Sequence, residues 1–518
     1  DGTVRLRYRL FGDRTDGTYA AVDHTHAHLN MPATLMWGRG FEDRPFHLTF
    51  EPPSDSAWKV ATQLFPTDDP MVFTAPNLQY LMDSPTELSD FELYTFNVAD
   101  PAAPLNRPTF RVALHQDASA GAESYVASIA AIVGEMVTVF GEFPVFETDT
   151  YTFIADYLPH ASSDAMEHRN SAVLTSNGRL DSPGQLERML GAVAHEFFHV
   201  WNVERIRPRS LEPFDFTDAN LSPALWLAEG FTNYYGKLVM KRAGLTTLRR
   251  TLESFGATLD VVIASPGRRL NSAVDMSHLA PFTDAATAID PTNFGNTFVS
   301  YYTWGEAIGL GLDLTLRSRT GGAITLDDYM RALWERFGKP GGSVPGTVDH
   351  PYTLADAQSV LAEVSGDEQF ALTFFDRFIA GRAVVEYAEL LDRAGLVLQP
   401  HAPGLASLGR VRFGSGMTVT VSTPFGSPLY EAGIDRDDVL TDLDGHRVSS
   451  VADLARILRS RRPGDTVEIG FLRRGTRFES ITTLVEDPGV GIVTLESTGG
   501  RLSGEQVSFR NAWLGSRR

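Results

Sequence analysis

Ala194-His195-Glu196-Phe197-Phe198-His199 is an H-E-x-x-H set inside an apolar run, and the rest of the chain is read outward from it. On a helix of about 3.6 residues per turn, His195 and His199 stand one turn apart on one face, so both imidazoles reach one metal ion with Glu196 beside them. This is the donor pattern of a zinc hydrolase. Two borderline-soft nitrogens need a third protein ligand, and the fourth position is left for water, whose pKa the metal lowers to about 7. Glu196 is then the group to take the proton.

The flanks favour a helix. Ser182-Pro183-Gly184-Gln185 reads as a capping box with proline at the first helical position, and Leu186, Met189, Leu190, Val193, Phe197 and Val200 recur at helical spacing. The pattern predicts a helix over 183–204, stopped by Pro208. A core helix with merely hydrogen-bonded histidines is the alternative, and a third ligand decides between them. The first strong candidate is Glu229, in Trp226-Leu227-Ala228-Glu229-Gly230-Phe231-Thr232-Asn233-Tyr234-Tyr235. Ser222 is expected to cap a helix over 223–243 that starts at Pro223 and ends at Gly244. Glu229 then falls on its second turn among Leu225, Trp226 and Phe231, where an unpaired carboxylate is costly to bury. A metal offsets that cost, and a salt bridge is the other reading.

The chain has 518 residues, which suggests about three domains. Hydrophobic residues at 43% and charged residues at 21% are those of a soluble globular protein. A net charge of −20 disfavours nucleic acid and anionic membranes as partners. No uninterrupted apolar run approaches the ~18 residues of a membrane span. With no cysteine, disulfides, thiolate ligands and a cysteine nucleophile are excluded together. The chain begins at Asp1 rather than methionine, so processing or trimming is expected, and with it loss of any N-terminal targeting region. The compartment stays open between periplasmic, secreted and cytoplasmic.

Before the metal helix the chain reads as strands and turns, with alternation over 3–11, 109–114 and 151–157 and a helix over 124–140. Within it, Asp23-His24-Thr25-His26-Ala27-His28 places alternating histidines on one face of a strand. No carboxylates or further histidines follow at ligand spacing, so a hydrogen-bonded or solvated strand is favoured over a second metal site. Helices are expected over 247–263, 301–318, 326–337, 354–364 and 368–380. After Gln399-Pro400-His401-Ala402-Pro403-Gly404 come short strands over 417–422, 439–443 and 467–472 with one helix over 451–459, a separate small domain.

The H-E-F-F-H stretch continuing as Val200-Trp201-Asn202-Val203-Glu204-Arg205-Ile206-Arg207-Pro208, together with the Trp226–Tyr235 run, resembles the glycyl aminopeptidase family of gluzincin metallopeptidases. That resemblance implies one zinc ion held by His195, His199 and Glu229, with Glu196 as general base. Asp164-Ala165-Met166-Glu167-His168-Arg169-Asn170-Ser171 resembles the family's G-G-[LM]-E-H-R-N-S. It implies that Glu167 anchors the substrate's free α-amino group, with Met166 and Ala165 beside it in the substrate site. Asp164 and Ala165 stand where the pattern has two glycines. Ser300-Tyr301-Tyr302-Thr303-Trp304-Gly305 resembles Y-x-K-G and implies that the Tyr302 hydroxyl stabilises the tetrahedral intermediate, with Trp304 in the lysine position. The family further implies peptide substrates with a free N-terminus, glycine preferred and alanine next. Members carry a β-rich segment upstream of what matches Asp1, so part of that domain is expected to lie outside this chain.

Gly426-Ser427-Pro428-Leu429-Tyr430-Glu431-Ala432-Gly433-Ile434, followed by Asp438-Val439-Leu440 and Asp444-Gly445, resembles bacterial PDZ domains. A C-terminal peptide would add there as a strand, its carboxylate held near Leu408, Gly409 and Arg410. A packing module without ligand is the alternative. The expected fold is therefore multidomain α+β: a β-rich N-terminal platform (1–115), a thermolysin-like catalytic domain (116–245), a helical domain closing the active site (246–400), a PDZ domain (401–487) and a C-terminal tail packing on the body (488–518). The functional readings are a zinc aminopeptidase, a zinc endopeptidase, and a catalytically silent PDZ adaptor. The intact set of His195, Glu196, His199 and Glu229 argues against the last, and Glu167 favours free amino termini over blocked ones.

Overall fold

Two strands with apolar residues on both faces set the centre of the molecule. In the computed structural model, which describes residues 2–116, 120–283 and 293–518, β6 (Thr109–Gln116) and β7 (Thr150–Tyr157) pair in parallel. They are joined by α1 (Ala122–Phe140). β9 (Ser171–Ser176) adds parallel to β7, β8 (Asp164–His168) lies antiparallel on β9 as one edge, and β5 (Glu92–Asn97) closes the other, giving the order β8-β9-β7-β6-β5. Parallel strands are covered on both faces because their crossover helices must pack somewhere. Here Phe110 and Phe153 meet the helices on one face, while Ala113 and Ile154 meet Ala61 and Phe91 of the N-terminal part on the other. Helix α1 is long and apolar enough to cross a bilayer by composition, yet Ile129, Ile132, Val133 and Met136 are buried in the core and Phe140 stacks on Trp201 at 4.6 Å.

The N-terminal part holds an antiparallel sheet of β1 (Ala21–Val22), β2 (His26–Leu29), β3 (Lys59–Thr62) and β4 (Thr86–Ser89), ordered β1-β2-β4-β3. A small core of Met31, Leu64, Phe73, Leu78, Tyr80 and Leu81 lies beside it. Residues 3–11 form no strand: among the described residues no partner supplies the ladder that their alternation needs, and they run exposed. The histidine run also departs from its reading. His24 is exposed, but His26 and His28 are buried, and neither ring nitrogen of His28 has a hydrogen-bond partner.

The helical half is built on α2 (Pro183–Phe198), α3 (Leu225–Arg242), α4 (Leu248–Ala264) and α5 (Tyr301–Thr320). Helix α2 stops at Phe198, six residues before the expected end at Glu204, because the chain after it turns back in hydrogen-bonded loops such as Ile206 N to Trp201 O. Ser182 precedes α2 without a side-chain cap, since the Gln185 side chain bonds the Arg179 amide instead. Helix α3 starts at Leu225 with Ala224 as its N-cap, and the Ser222 hydroxyl accepts from the Ala224 amide. The expected helices over 326–337 and 368–380 each finish in a π turn, Trp334–Gly338 and Phe375–Ile379. Helices α3 and α5 cross where Gly230 faces Gly305: a Cβ on Gly305 would stand 2.0 Å from the Trp226 carbonyl oxygen. That crossing brings the start of α5 beside Glu229.

The small C-terminal domain has its own core, including Leu408, Leu429, Leu440 and Ile469, under strands Val439–Leu443, His446–Arg447, Thr466–Arg473 and Thr476–Thr483. Residues 417–422 make only isolated bridges there instead of the expected strand. The domain is entered and left through a two-stranded ribbon, β10 (Leu396–Pro400) with β11 (Val490–Thr494), lying on α4 at Gly256. The last helix, α6 (Gly504–Leu514), returns to the body, where Trp513 is buried and donates to the Tyr234 hydroxyl.

Candidate metal centre and active site

Helix α2 presents His195 and His199 with their Nε2 atoms 3.1 Å apart. The Oε2 of Glu229 on α3 lies 3.4 Å from the first and 3.3 Å from the second. Donors bound about 2.0 to 2.2 Å from one tetrahedral ion stand about 3.3 to 3.6 Å apart, so the three atoms outline one face of such a site. Glu229 Oε2 is buried with no hydrogen-bond donor, which leaves it for a cation. Burial lowers the His199 pKa, but the Glu167 and Glu229 carboxylates outweigh it and raise the ring to about 10. The residues present fit zinc.

The donors are fixed from behind. His199 Nδ1 donates to the Asn202 carbonyl at 2.7 Å, which leaves Nε2 with its lone pair toward the metal position. The Asn202 amide in turn donates to the Leu227 and Ala228 carbonyls at 3.1 Å each, tying the turn after α2 to the first turn of α3. Gly236 of α3 lets that helix approach the His195 backbone, since a Cβ there would meet His195 N at 3.5 Å. Glu196, next to the first donor, is buried. Burial, with Glu167 and Glu229 adding like charge, holds its carboxyl well above the usual range.

Glu167 arrives from the opposite side on the edge strand β8, with a carboxylate oxygen within 4.8 Å of ligand atoms of both Glu196 and His199. Ala165 lines the same cavity, of about 530 Å³, together with His195, Glu196 and Tyr302. Met166 falls between them, and strand alternation sends its side chain to the other face. Tyr302, in the first turn of α5, has its ring 6.1 Å from that of His195. Trp304 is buried in the core and adds no group to the cavity.

The residues after Glu167 act as fasteners. His168 and the Arg169 amide bond Asp83 of the N-terminal part, the Asn170 amide bonds Gln63, and Arg205 after α2 donates to the Arg169 carbonyl and Asn170 Oδ1. Asp164 turns outward and accepts from the Gly17 amide and the Thr18 hydroxyl, so where the motif has glycine this chain has a tie to its own N-terminal segment. Sequence reading missed Asp83, Asn202 and Arg205.

In the small domain, Leu408 is buried in the core, and Gly409 takes φ +94° against Ser427. Arg410 pairs with Asp260 of α4. This loop therefore faces the peptidase body and lines, with residues 264–269 and 294–300, a groove of about 700 Å³ between the two.

Comparison with known families adds the frame. The family model described as M61 glycyl aminopeptidase matches residues 188–308, that of the peptidase M61 N-terminal domain residues 1–90, and that of a PDZ domain residues 406–484. The chain thus resembles M61 peptidases over residues 1–90 and 188–308. Among solved structures, the chain is similar to an aminopeptidase N family protein from Idiomarina loihiensis, with a TM-score of 0.79 at 23% identity over 98% of this chain and 85% of that one. That likeness shows a shared fold. An M1 zinc metallopeptidase from Deinococcus radiodurans matches more distantly, with a TM-score of 0.44 at 14% identity over 72% of this chain and 74% of that one. A probable periplasmic serine endoprotease, DegP-like, from Rhizobium meliloti (strain 1021) is 38% identical over 82 residues, 16% of this chain and 16% of its own length.

Proposed function

We propose that this chain is an M61-type zinc aminopeptidase that removes the N-terminal residue of peptides, glycine first and alanine next. The observation that carries the reading is the convergence of Glu167 on Glu196 and His199, beside the His195, His199 and Glu229 donor set. An endopeptidase has no use for a third carboxylate there, half-buried beside the donors, whereas an N-terminal ammonium would pair with it. The order of residue preference rests on the resemblance of the Asp164–Ser171 motif alone. The domain limits given above belong to the same proposal.

A zinc ion held by His195, His199 and Glu229 supplies Lewis acidity, acidifying water and polarising the carbonyl of the first peptide bond. Glu167 pairs with the substrate ammonium and so sets which bond lies at the centre. Glu196, made more basic by burial, takes a proton from the attacking water and delivers it to the leaving amine. The Tyr302 hydroxyl donates a hydrogen bond to the oxygen that gains charge. As the edge strand of the central sheet, β8 offers backbone groups for an extended substrate beyond the part that residues 17–18 cover.

The test compares glycyl, alanyl and leucyl anilides with an amino-blocked peptide, before and after chelation and after zinc is restored. Rapid cleavage of the glycyl anilide, lost with chelator and recovered with zinc, is expected. Cleavage of the blocked peptide alone would overturn the exopeptidase reading.

A further inference from the structure

Register in two separate sheets brings together a second set of donors. In the N-terminal sheet His28 of β2 stands opposite Glu87 of β4, and in the central sheet His115 of β6 stands opposite Asp156 of β7. The two pairs face each other where the sheets meet. His28 Nδ1 lies 3.5 Å from Glu87 Oε2 and 3.6 Å from Asp156 Oδ2, and the ligand atoms of all three residues lie within 4.8 Å of one another. Those spacings match the edge of about 3.3 to 3.6 Å expected for donors around one tetrahedral ion.

The polar atoms there are buried and unsatisfied. His28, Glu87 and Asp156 are at most 2% exposed, yet both nitrogens of His28, both oxygens of Glu87 and Oδ2 of Asp156 have no hydrogen-bond partner. Natural proteins rarely leave one such atom, and here three neighbouring side chains leave five, with one donor atom from each gathered at one spot. Two ionised carboxylates buried this close to one imidazole repel each other. A dication cancels both charges. His115 Nδ1 bonds the other Asp156 oxygen at 3.3 Å and lies 3.8 Å from Glu87 Oε1, the place of an orienting partner or a fourth ligand.

We propose that His28, Glu87 and Asp156 bind a second divalent transition-metal ion that fastens the N-terminal sheet to the catalytic sheet. Imidazole nitrogen with two carboxylates suits zinc or manganese, and it disfavours calcium and magnesium, which take oxygen alone. The site shares no residue with the His195, His199 and Glu229 set, and it has neither a base nor an open cavity. Its role is structural.

The test uses the full chain with the catalytic donors disabled, His195→Gln with His199→Gln, stripped of metal and reloaded with zinc or manganese alone. Elemental analysis should find one tightly held ion in that chain against two in the parent, and reloading should raise the unfolding temperature by several degrees. Adding Glu87→Gln or, should that variant not fold, His28→Gln should abolish both the ion and the shift. A doubly disabled chain that retains no ion, or one whose ion survives both added substitutions, would overturn the proposal. Failure here leaves the parent with one ion and its peptidase activity, so it is separable from failure of the aminopeptidase reading.

Discussion

The two donor sets differ in how they are built. His195, His199 and Glu229 come from one helix with its C-cap and from a neighbouring helix, with His195 in the wall of an open cavity of about 530 Å³ and Glu196, Glu167 and Tyr302 around them. His28, Glu87 and Asp156 come from three strands of two sheets and are sealed between them. One arrangement surrounds its donors with groups that move protons and hold charge. The other surrounds them with β-sheet. An ion in the first is placed to act on a substrate, whereas in the second it can only hold the protein together. Variants that separate chemistry from metal retention therefore test the contrast directly.

The largest effect should come from the base. Glu196→Gln keeps the shape of the side chain and removes its proton affinity, so turnover should drop by about three orders of magnitude. Metal content measured on the same sample should stay at the parent value, because the donor set is untouched. A parallel loss of metal would mean that Glu196 supports the site instead of acting in it. Next is Tyr302→Phe, which deletes one oxyanion donor and should lower kcat by roughly two to three orders of magnitude with KM little changed. An unchanged kcat would remove Tyr302 from the mechanism.

These expectations show which parts of the molecule were readable in advance. Donors four residues apart on a helix are neighbours by local geometry, so the open site was legible as soon as a helix was recognised. Glu229 was legible because a carboxylate in an apolar helical turn needs a partner. Glu167 and Tyr302 were legible only through family resemblance, since one glutamate on a strand and one tyrosine among aromatics carry no spacing signal. The end of α2 was not legible, because it is set by the turn that Asn202 and Arg205 lock onto other elements rather than by Pro208. Residues 3–11 misled for a similar reason: alternation states a preference, but a strand exists only where another pairs with it. The closed site was invisible because cross-strand register between distant segments decides it. A carboxylate in each of Thr86-Glu87-Leu88 and Ala155-Asp156-Tyr157, with no other charge in either, was the trace it left in the sequence.

A smaller effect should separate substrate selection from chemistry. Glu167→Gln keeps a hydrogen-bond acceptor but loses the charge that pairs with an ammonium, a contact of about 1.5 to 3 kcal/mol. KM for free-amino substrates should rise by roughly 10- to 100-fold by the same measure, while any residual cleavage of an amino-blocked peptide stays level. Equal losses on both substrates would assign Glu167 to the fabric of the site rather than to recognition.

The smallest effect tests the tie that holds the open site's turn to its neighbouring helix. The Asn202 side chain touches no donor. It fixes the turn whose carbonyl orients His199 and links that turn to the helix carrying Glu229. Asn202→Ala leaves the orienting carbonyl in the backbone but unties it, so zinc affinity should weaken by about 10-fold, the low end for groups behind metal ligands. Competition with a chromogenic chelator measures this, and kcat at saturating zinc should stay near the parent value. The closed site needs no such tie, because Glu87 and Asp156 are held in place by the β-ladders themselves. Asn202→Ala in a chain carrying His28→Gln should therefore weaken zinc by the same factor as in the parent, since the two sites share no element. A larger loss in the combined variant would show that the sheets and the metal helices move as one body.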